Sequence, residues 1–194
     1  MSRRAEVERR TKETEVRAAL SLDEAGEPRV SVGIGFFDHM LTLLAFHWGV
    51  SLDLTAKGDI HVDGHHTVED VGIVLGDALS RAAGDKKGIA RYGFASVPMD
   101  EALVRVTLDL SGRPIVVMDA AALPDNKVGD FDTELVLEFL RAFANHAGLT
   151  LHVEIVSGAN RHHVIEAIFK ALGRALAAAF SRGAGGVPST KGVL

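Results

Sequence analysis

The sequence predicts an α+β fold that contains an internally duplicated half-domain, and three observations lead to this prediction. Segments with strand-like alternation and segments with helix-like spacing follow one another along the chain. The same series starts again after Gly88. Each series contains the motif His-His-x-x-Glu at the start of a helix-like segment, at residues 65–69 and 162–166. We therefore expect one domain made of two similar halves, at about residues 1–90 and 91–194.

The first half is predicted to contain four strands and two helices. Apolar residues between Phe37 and Leu44 recur at helical spacing, and Gly26 marks the turn between the first two strands. The arginines and glutamates of residues 3–10 are interpreted as a solvated segment that precedes the first strand. The predicted elements are strands 14–22, 29–34, 50–56 and 59–63, and helices 36–48 and 67–83.

The second half repeats this pattern with fewer predicted strands. Within residues 102–110, apolar and polar side chains alternate from Val104 onward, which is typical of a half-buried strand. His47 and His146 precede similarly spaced segments, which supports the alignment of the two halves. The predicted elements are strands 102–110, 114–118 and 149–156, and helices 133–147 and 164–180.

The composition excludes several classes of protein. The 194 residues are 47% hydrophobic and carry a formal net charge of −5, so a globular fold is expected and a nucleic-acid surface is not. The sequence has no cysteine, which excludes disulfides and thiolate metal sites. It also has no apolar segment typical of a signal peptide or a membrane span. We expect a soluble, cytoplasmic protein with no nucleic-acid or membrane partner.

The two His-His-x-x-Glu motifs indicate metal binding. Residues four apart share one face of a helix, so His65 can point with Glu69 and His162 with Glu166. The second histidine of each pair is directed about 100° away and could serve a second ion. A single motif of this kind is more typical of a surface hydrogen bond. Two copies at helix N-termini favour neutral imidazoles that bind metal, because a helix N-terminus disfavours cations.

Further histidines could complete these sites. His39, His47 and His146 lie on predicted helices, whereas His61 and His152 lie in predicted strands and are interpreted as structural. Mixed imidazole and carboxylate ligands suit manganese, iron, cobalt or zinc with open coordination positions. Open positions allow a substrate or water to bind the ion, which indicates Lewis-acid catalysis.

Cationic and hydroxyl side chains indicate a phosphate site. Lys170 lies one helical turn after Glu166 and shares its face. The others occupy element junctions or the glycine-rich C-terminal tail. Guanidinium, ammonium and hydroxyl groups together are typical phosphate ligands. These further residues are Arg91, Arg113, Ser189, Thr190 and Lys191.

Seven blocks of the sequence, in order and over almost the whole chain, resemble the imidazoleglycerol-phosphate dehydratase family of histidine biosynthesis. The paired histidine blocks and the segment FFDHML are the most specific of them. The blocks are TKETEV (11–16), GIGFFDHML (33–41), GHHTVEDVGIVLGDAL (64–79), YGFASVPMDEALV (92–104), DLSGRP (109–114), NRHHVIEAIFKALGRAL (160–176) and PSTKG (188–192).

The resemblance implies a fold, a cofactor and an assembly. The fold would be two four-stranded mixed sheets packed on helices, similar to ribosomal protein S5 domain 2, in a single catalytic domain. The cofactor would be Mn²⁺, with two ions per active site. Active sites would form between subunits of trimers, which would assemble into a 24-mer.

The resemblance also implies roles for individual residues. Glu13, Glu69 and Glu166 would be catalytic. The metal ligands would be His39, His65, His66, Glu69, His146, His162, His163 and Glu166. Contacts to the phosphorylated imidazole substrate would come from Glu13, His39, His47, His65, Glu69, Arg91, Arg113, His162, Lys170, Ser189, Thr190 and Lys191.

The implied reaction is the dehydration of D-erythro-imidazole glycerol phosphate to imidazole acetol phosphate and water, in L-histidine biosynthesis. The hydrogen that is removed has no carbonyl group beside it, so an enolate cannot stabilise the charge. We hypothesise that metal coordination favours the imidazolate form of the substrate, which expels the hydroxyl through a diazafulvene-like intermediate. Glu13 or a ligating glutamate would carry the protons.

Two other functions fit the same residues. A dinuclear metallohydrolase acting on a phosphate ester would share the metal ligands, but it would release inorganic phosphate. A metal-binding or storage assembly would need no phosphate site, so Arg91, Arg113 and Lys170 would have no role.

Overall fold

The first half of the chain forms a four-stranded sheet and two helices in the computed structural model, which describes residues 3–183 and 185–192. Strands β1, β2 and β4 are antiparallel, and β3 runs parallel to β4, so the order is β1-β2-β4-β3. The elements are β1 (Arg4–Arg10), β2 (Thr14–Ser21), β3 (Arg29–Ser31), α1 (Gly35–Trp48), β4 (Ser51–Gly58) and α2 (His65–Ala83).

The second half has the same topology. Its sheet has the order β5-β6-β10-β7, with β5, β6 and β10 antiparallel and β7 parallel to β10. A short hairpin, β8–β9, lies between β7 and α3. The elements are β5 (Tyr92–Met99), β6 (Ala102–Asp109), β7 (Ile115–Met118), β8 (Lys127–Val128), β9 (Phe131–Asp132), α3 (Leu135–Ala147), β10 (Thr150–Ser157) and α4 (Arg161–Phe180). The predicted α+β fold with a duplicated half is confirmed.

Several element predictions are wrong or incomplete. Residues 59–63 form turns, because Ile60 and Val62 point to solvent, with 48% and 64% of their surface exposed. The segment interpreted as solvated is the edge strand β1, which buries Val7 and exposes its charged residues. Charges on an edge strand are common, since they oppose pairing with other chains. Strand β5 was not identified from the sequence.

The helices α2 and α4 begin earlier than predicted, at His65 and Arg161. Both histidine pairs therefore lie in the first turn of a helix. Asn160 caps α4, because its side-chain oxygen accepts hydrogen bonds from the backbone N–H groups of His162 and His163. At α2 the carboxylate of Asp63 accepts from the N–H of His65.

The two halves meet through their helices. Helix α2 of the first half packs on α3 of the second half, and α1 of the first half packs on α4 of the second half. Glycines allow the backbones to approach closely at both contacts. A Cβ at Gly72 would lie 2.8 Å from the Cβ of Ala142, and a Cβ at Gly173 would lie 2.5 Å from the carbonyl oxygen of Leu44. This packing places α1 of the first half beside the N-terminal turns of α4.

An aromatic cluster supports that junction. Phe37, Phe139 and Phe169 come from α1, α3 and α4, and their ring centroids lie 5.4 to 6.3 Å apart. All three side chains are fully buried. Phe36 packs edge-on against His162, with the centroids 5.2 Å apart. Among the described residues, the chain has no helix long and apolar enough to cross a bilayer.

Candidate active site

The first turns of α4 and the middle of α1 bring three predicted metal ligands together. His39 and His162 point their Nε2 atoms at the same carboxylate oxygen of Glu166, at 3.7 and 3.1 Å. Ligand atoms from all three residues lie within 4.8 Å of one another. Two imidazole nitrogens and one carboxylate oxygen match the ligand chemistry of manganese and similar divalent cations, so these residues fit such an ion.

Lys170 holds the other oxygen of the same carboxylate. Its ammonium lies 2.6 Å from Oε1 of Glu166, one turn along the helix. Burial acts to raise the pKa of Glu166, but the hydrogen bonds and charges of Lys170 and His162 outweigh it and leave that pKa below its ordinary value. The buried carboxylate is therefore kept anionic, the form that binds a metal ion.

The second histidine of the α4 pair faces another pair of carboxylates. His163 places Nδ1 2.7 Å from Oε2 of Glu101 and Nε2 3.5 Å from Oδ2 of Asp100, both in the β5–β6 turn. The hydrogen bond from His163 lowers the pKa of Glu101 to about 2, and the same bond raises the pKa of His163. The two histidines of the motif thus diverge, as the sequence predicts.

The N-terminus of α2 has a more open arrangement. His66 places Nδ1 3.0 Å from Oδ2 of Asp59 and 3.9 Å from Oε2 of Glu13. The hydrogen bond that His66 donates to Asp59 raises the pKa of His66. Glu69 is exposed, whereas its counterpart Glu166 is 7% exposed. Glu13 and Asp59 line one groove of about 390 Å³.

The two histidines near helix C-termini have different surroundings. His146, on α3, places Nδ1 2.9 Å from Oδ1 of Asp77 on α2. His47, on α1, lines a hollow with Phe94 and Arg174. Burial lowers the pKa of His47, and the charges of Lys170 and Arg174 lower it further. His47 therefore favours the neutral imidazole.

Five of the six predicted phosphate ligands gather in a groove of about 670 Å³ beside the tail, whereas the sixth, Lys170, is paired with Glu166. Arg91 has a left-handed backbone (φ 76°), and its side chain forms an ion pair with Asp109, with Nε 2.7 Å from Oδ1. It also donates to the carbonyl oxygen of Pro188, which fixes the tail over the groove. Arg113 is more open, with its Nη2 3.7 Å from Asp109. The groove is lined by Arg91, Tyr92, Arg113, Pro188, Ser189, Thr190 and Lys191.

The predicted site residues thus form separate groups within one chain. We call Glu13, Asp59 and His66 the α2 group, and His39, His162, Glu166 and Lys170 the α4 group. Among the described residues, no hydrogen bond or ion pair joins the α2 group with the α4 group or with the phosphate groove. The sequence reasoning also missed Asp59, Asp77 and Glu101, which contact three of the predicted ligands. Asp59 and Glu101 lie in turns and Asp77 on a neighbouring helix, so no fixed spacing could have identified them.

Comparison with known proteins decides the family. Residues 32–176 match the model of the imidazoleglycerol-phosphate dehydratase family. The chain belongs to this family. A dehydratase of that name from Azorhizobium caulinodans is 56% identical over 99% of this chain and 98% of its own length. Another, from Thermoanaerobacter, is 58% identical over 99% of this chain and its full length.

Solved structures of imidazoleglycerol-phosphate dehydratases share the fold. The Staphylococcus aureus enzyme has a TM-score of 0.84 at 44% identity and covers 93% of this chain and 99% of its own. The Pyrococcus furiosus enzyme, in complex with (S)-C348, has a TM-score of 0.82 at 37% identity, over 97% of this chain and 100% of its own. Members of the family are dehydratases, and the chain is accordingly a hydro-lyase, a class of lyase.

Proposed function

We propose that this hydro-lyase converts D-erythro-imidazole glycerol phosphate to imidazole acetol phosphate and water in L-histidine biosynthesis, and that it needs divalent metal ions. The observation that supports metal dependence is the cluster of His39, His162 and Glu166, whose ligand atoms lie within 4.8 Å of one another. Lys170 keeps the Glu166 carboxylate anionic, and an anionic oxygen beside two imidazole nitrogens is a ligand set that suits divalent cations.

We propose two Mn²⁺ ions per active site. The ions would be held by the predicted ligands of both histidine pairs. When bound, manganese would supply a Lewis acid that stabilises negative charge on a coordinated imidazole ring. The proposed ligands are His39, His65, His66, Glu69, His146, His162, His163 and Glu166.

Glu13 is the proposed proton carrier, and Glu69 and Glu166 are proposed to assist as catalytic ligands. The carboxylate of Glu13 is half-exposed and lies 3.9 Å from His66, so it can reach both solvent and a substrate beside that histidine. Its turn is fixed, because the backbone N–H groups of Glu13 and Thr14 donate to the hydroxyl of Thr11. A carboxylate held at such a place can remove a proton from one substrate atom and return it to another.

The groove at the tail is proposed to bind the substrate phosphate. Arg113 and Lys191 supply exposed cations, and Ser189 and Thr190 supply hydroxyl groups that line the same groove. Arg91 orders this surface through Pro188. Lys170 and His47 are the other proposed substrate contacts, together with His39, His65 and His162.

Self-association is proposed to complete the site. The α2 group, the α4 group and the phosphate groove are separate in one chain, so ligands from two subunits would have to combine. Large apolar side chains exposed to solvent support this proposal, since such patches mark protein interfaces. They include Phe46, Tyr92, Phe94, Ile115 and Val117. Trimers that assemble into a 24-mer, and a cytoplasmic location, remain predictions.

The direct test is an assay of the purified protein with imidazole glycerol phosphate. We expect keto product to form with Mn²⁺, to stop after chelation and to resume when Mn²⁺ is restored. Turnover that survives thorough metal removal would contradict metal dependence. Release of inorganic phosphate would indicate the hydrolase instead. Metal binding without any turnover would indicate a storage role.

The role of Glu13 can be tested with a matched pair of variants. Glu13→Gln is expected to reduce kcat by about 10²-fold or more, since general acid–base catalysis contributes that much. Glu15→Gln is the control, because Glu15 lines the same groove but is paired with Arg10 at 2.5 Å. Near-normal turnover of Glu13→Gln with metal bound would show that Glu13 is not the proton carrier.

A further inference from the structure

Three of the proposed metal ligands share one feature that the sequence motifs do not contain. His66, His146 and His163 each place Nδ1 within hydrogen-bond distance of a carboxylate. The distances are 3.0 Å to Asp59, 2.9 Å to Asp77 and 2.7 Å to Glu101. The three contacts come from different elements: the residue after β4, the middle of α2 and the β5–β6 turn.

These contacts determine which ring nitrogen carries hydrogen. An ionised carboxylate can only accept a hydrogen bond, so the Nδ1 atom of each histidine must be the donor. In the neutral imidazole, Nε2 then keeps its lone pair and becomes the atom that can bind a cation.

Glu101 is itself held in place. Its Oε1 accepts hydrogen bonds from the backbone N–H groups of Ala159 and Asn160, at 3.2 and 2.7 Å. Asn160 in turn caps the helix that carries His163. The turn, the cap and the imidazole therefore form one connected network, which leaves the ring little freedom to rotate.

Asp77 and His146 join the two halves of the chain. The aspartate lies on α2 and the histidine on α3, across the close helix contact at Gly76, where a Cβ would lie 2.7 Å from the Cβ of His146. A neighbour any larger than glycine would displace the histidine. The orientation of this ring is thus set both by packing and by a hydrogen bond.

We propose that Asp59, Asp77 and Glu101 are positioning residues that hold Nδ1–H of His66, His146 and His163 and direct Nε2 toward the divalent cations. The inference rests on the proposed metal dependence and assigns three residues that the family motif of histidines and glutamates does not include. Carboxylates in this position fix the tautomer and increase the basicity of the ligand, and their loss typically weakens metal affinity about 10- to 100-fold.

The test uses the full-length, metal-stripped protein and Mn²⁺ alone, titrated while free Mn²⁺ is followed by electron paramagnetic resonance. The variants are Asp77→Ala and Glu101→Ala, each compared with its amide, Asp77→Asn or Glu101→Gln. We expect the alanine variants to bind Mn²⁺ about 10- to 100-fold more weakly. The amides should be intermediate, because an amide oxygen still accepts from Nδ1–H but carries no charge.

Glu154→Ala is the matched control, since Glu154 is an exposed carboxylate that pairs with Arg105 and, among the described residues, forms no hydrogen bond or ion pair with a histidine. It should bind Mn²⁺ like the unaltered protein. If the unaltered protein binds no Mn²⁺, the proposed metal dependence is wrong and this inference falls with it. If it binds Mn²⁺ and the alanine variants bind equally well, only the positioning role is wrong. The amide variants answer the same question if an alanine variant does not fold.

Discussion

The N-termini of α2 and α4 carry the same His-His-x-x-Glu motif in opposite surroundings. At α4, Glu166 is buried between Lys170 and two histidines, one of which comes from α1. At α2, the equivalent Glu69 is exposed, and Ile73 stands one turn further on, where α4 has its lysine. The motif thus specifies the kind of ligand, whereas the neighbouring helix decides whether the ligands are assembled within one chain.

This difference has an electrostatic consequence. The α4 group is balanced before any ion arrives, because the Lys170 ammonium neutralises the buried carboxylate. The α2 group has its charges in solvent and depends on Asp59 and Glu13 to orient it. If the sites form between subunits, the α4 end is the prearranged half and the α2 end is the half that is completed on assembly.

The largest expected difference concerns the stability of the metal-free protein. Glu166→Ala should lower the free energy of unfolding by about 2 kcal/mol, since it leaves the partly buried Lys170 ammonium without its partner. Glu69→Ala should change it by less than about 0.5 kcal/mol, as is usual for exposed residues. Urea unfolding with a chelator present measures both. Equal losses of unfolding free energy in the two variants would show that the N-termini of α2 and α4 do not differ within a single chain.

Helix packing should give the next largest effect. Gly173→Ala is expected to destabilise the protein by about 1 to 2 kcal/mol, because the new Cβ would press on the carbonyl oxygen of Leu44 and force α1 away. Gly35→Ala is the control, since a Cβ there meets no atom within 4 Å. Thermal unfolding of both variants is the measurement. An unchanged midpoint for Gly173→Ala would mean that α1 and α4 separate without cost.

The two helix caps should differ in their contribution to stability, but by a smaller amount. Asn160→Ala removes an acceptor for two N–H groups at α4 and should cost about 1 kcal/mol. Asp63→Ala removes an acceptor for one N–H group at α2 and should cost less. Asn160→Asp keeps the acceptor and should restore stability. Urea midpoints rank the variants, and a larger loss for Asp63→Ala would reverse the comparison.

The smallest expected effect is an acid dependence at the far end of α4. Arg3 donates to the carbonyl oxygen of Phe180 and also to Asp23, through both its side chain and its backbone N–H. The bonds to Asp23 hold the pKa of that carboxyl below its ordinary value. The contribution of the Asp23 carboxylate to the free energy of unfolding is therefore complete above its unfolded pKa, near 3.9, and is lost as the pH falls below that value. Since the pair is exposed, it amounts to at most about 0.5 kcal/mol.

Asp23→Asn should accordingly flatten the loss of stability between about pH 5 and 3, measured by urea unfolding at each pH. The comparison at the far end of α2 is Lys86, which donates to the carbonyl oxygen of Leu110 and lies near the Asp109 carboxylate. Lys86→Met should change the acid dependence less than Asp23→Asn does, because Asp109 keeps its pairs with Arg91 and Arg113. An identical pH profile for Asp23→Asn and the unaltered protein would rule out a contribution from Asp23.

Much of the fold could be predicted because periodicity reports burial directly. Helix 36–48 and strand 102–110 were predicted to within two residues, since their apolar positions face the core. The prediction of a strand at 59–63 is wrong because it also relied on periodicity. Ile60 and Val62 alternate with polar residues, but both side chains are exposed, and periodicity cannot distinguish a core-facing alternation from an exposed one.

The site was predictable in its residue types but not in its contacts. Spacing within a helix places His162 and Glu166 on one face, and the structure has them 3.1 Å apart. Nothing in the spacing indicates that His39 joins them, because that contact depends on α1 packing on α4. Asp59, Asp77 and Glu101 were missed because carboxylates are abundant and these three are distinguished only by their neighbours in space.

The packing of helices across the two halves has a consequence for the history of the chain. Under the pseudo-twofold relation of the halves, α1 corresponds to α3 and α2 to α4, so the contact of α2 with α3 is the same contact as that of α4 with α1. A patch that meets its own copy in this way is an isologous interface, the type found in symmetric dimers. The chain has the architecture of such a dimer with its two subunits fused end to end. Each helix packs on a helix of the other half, so either half alone would leave those helix faces without their partners.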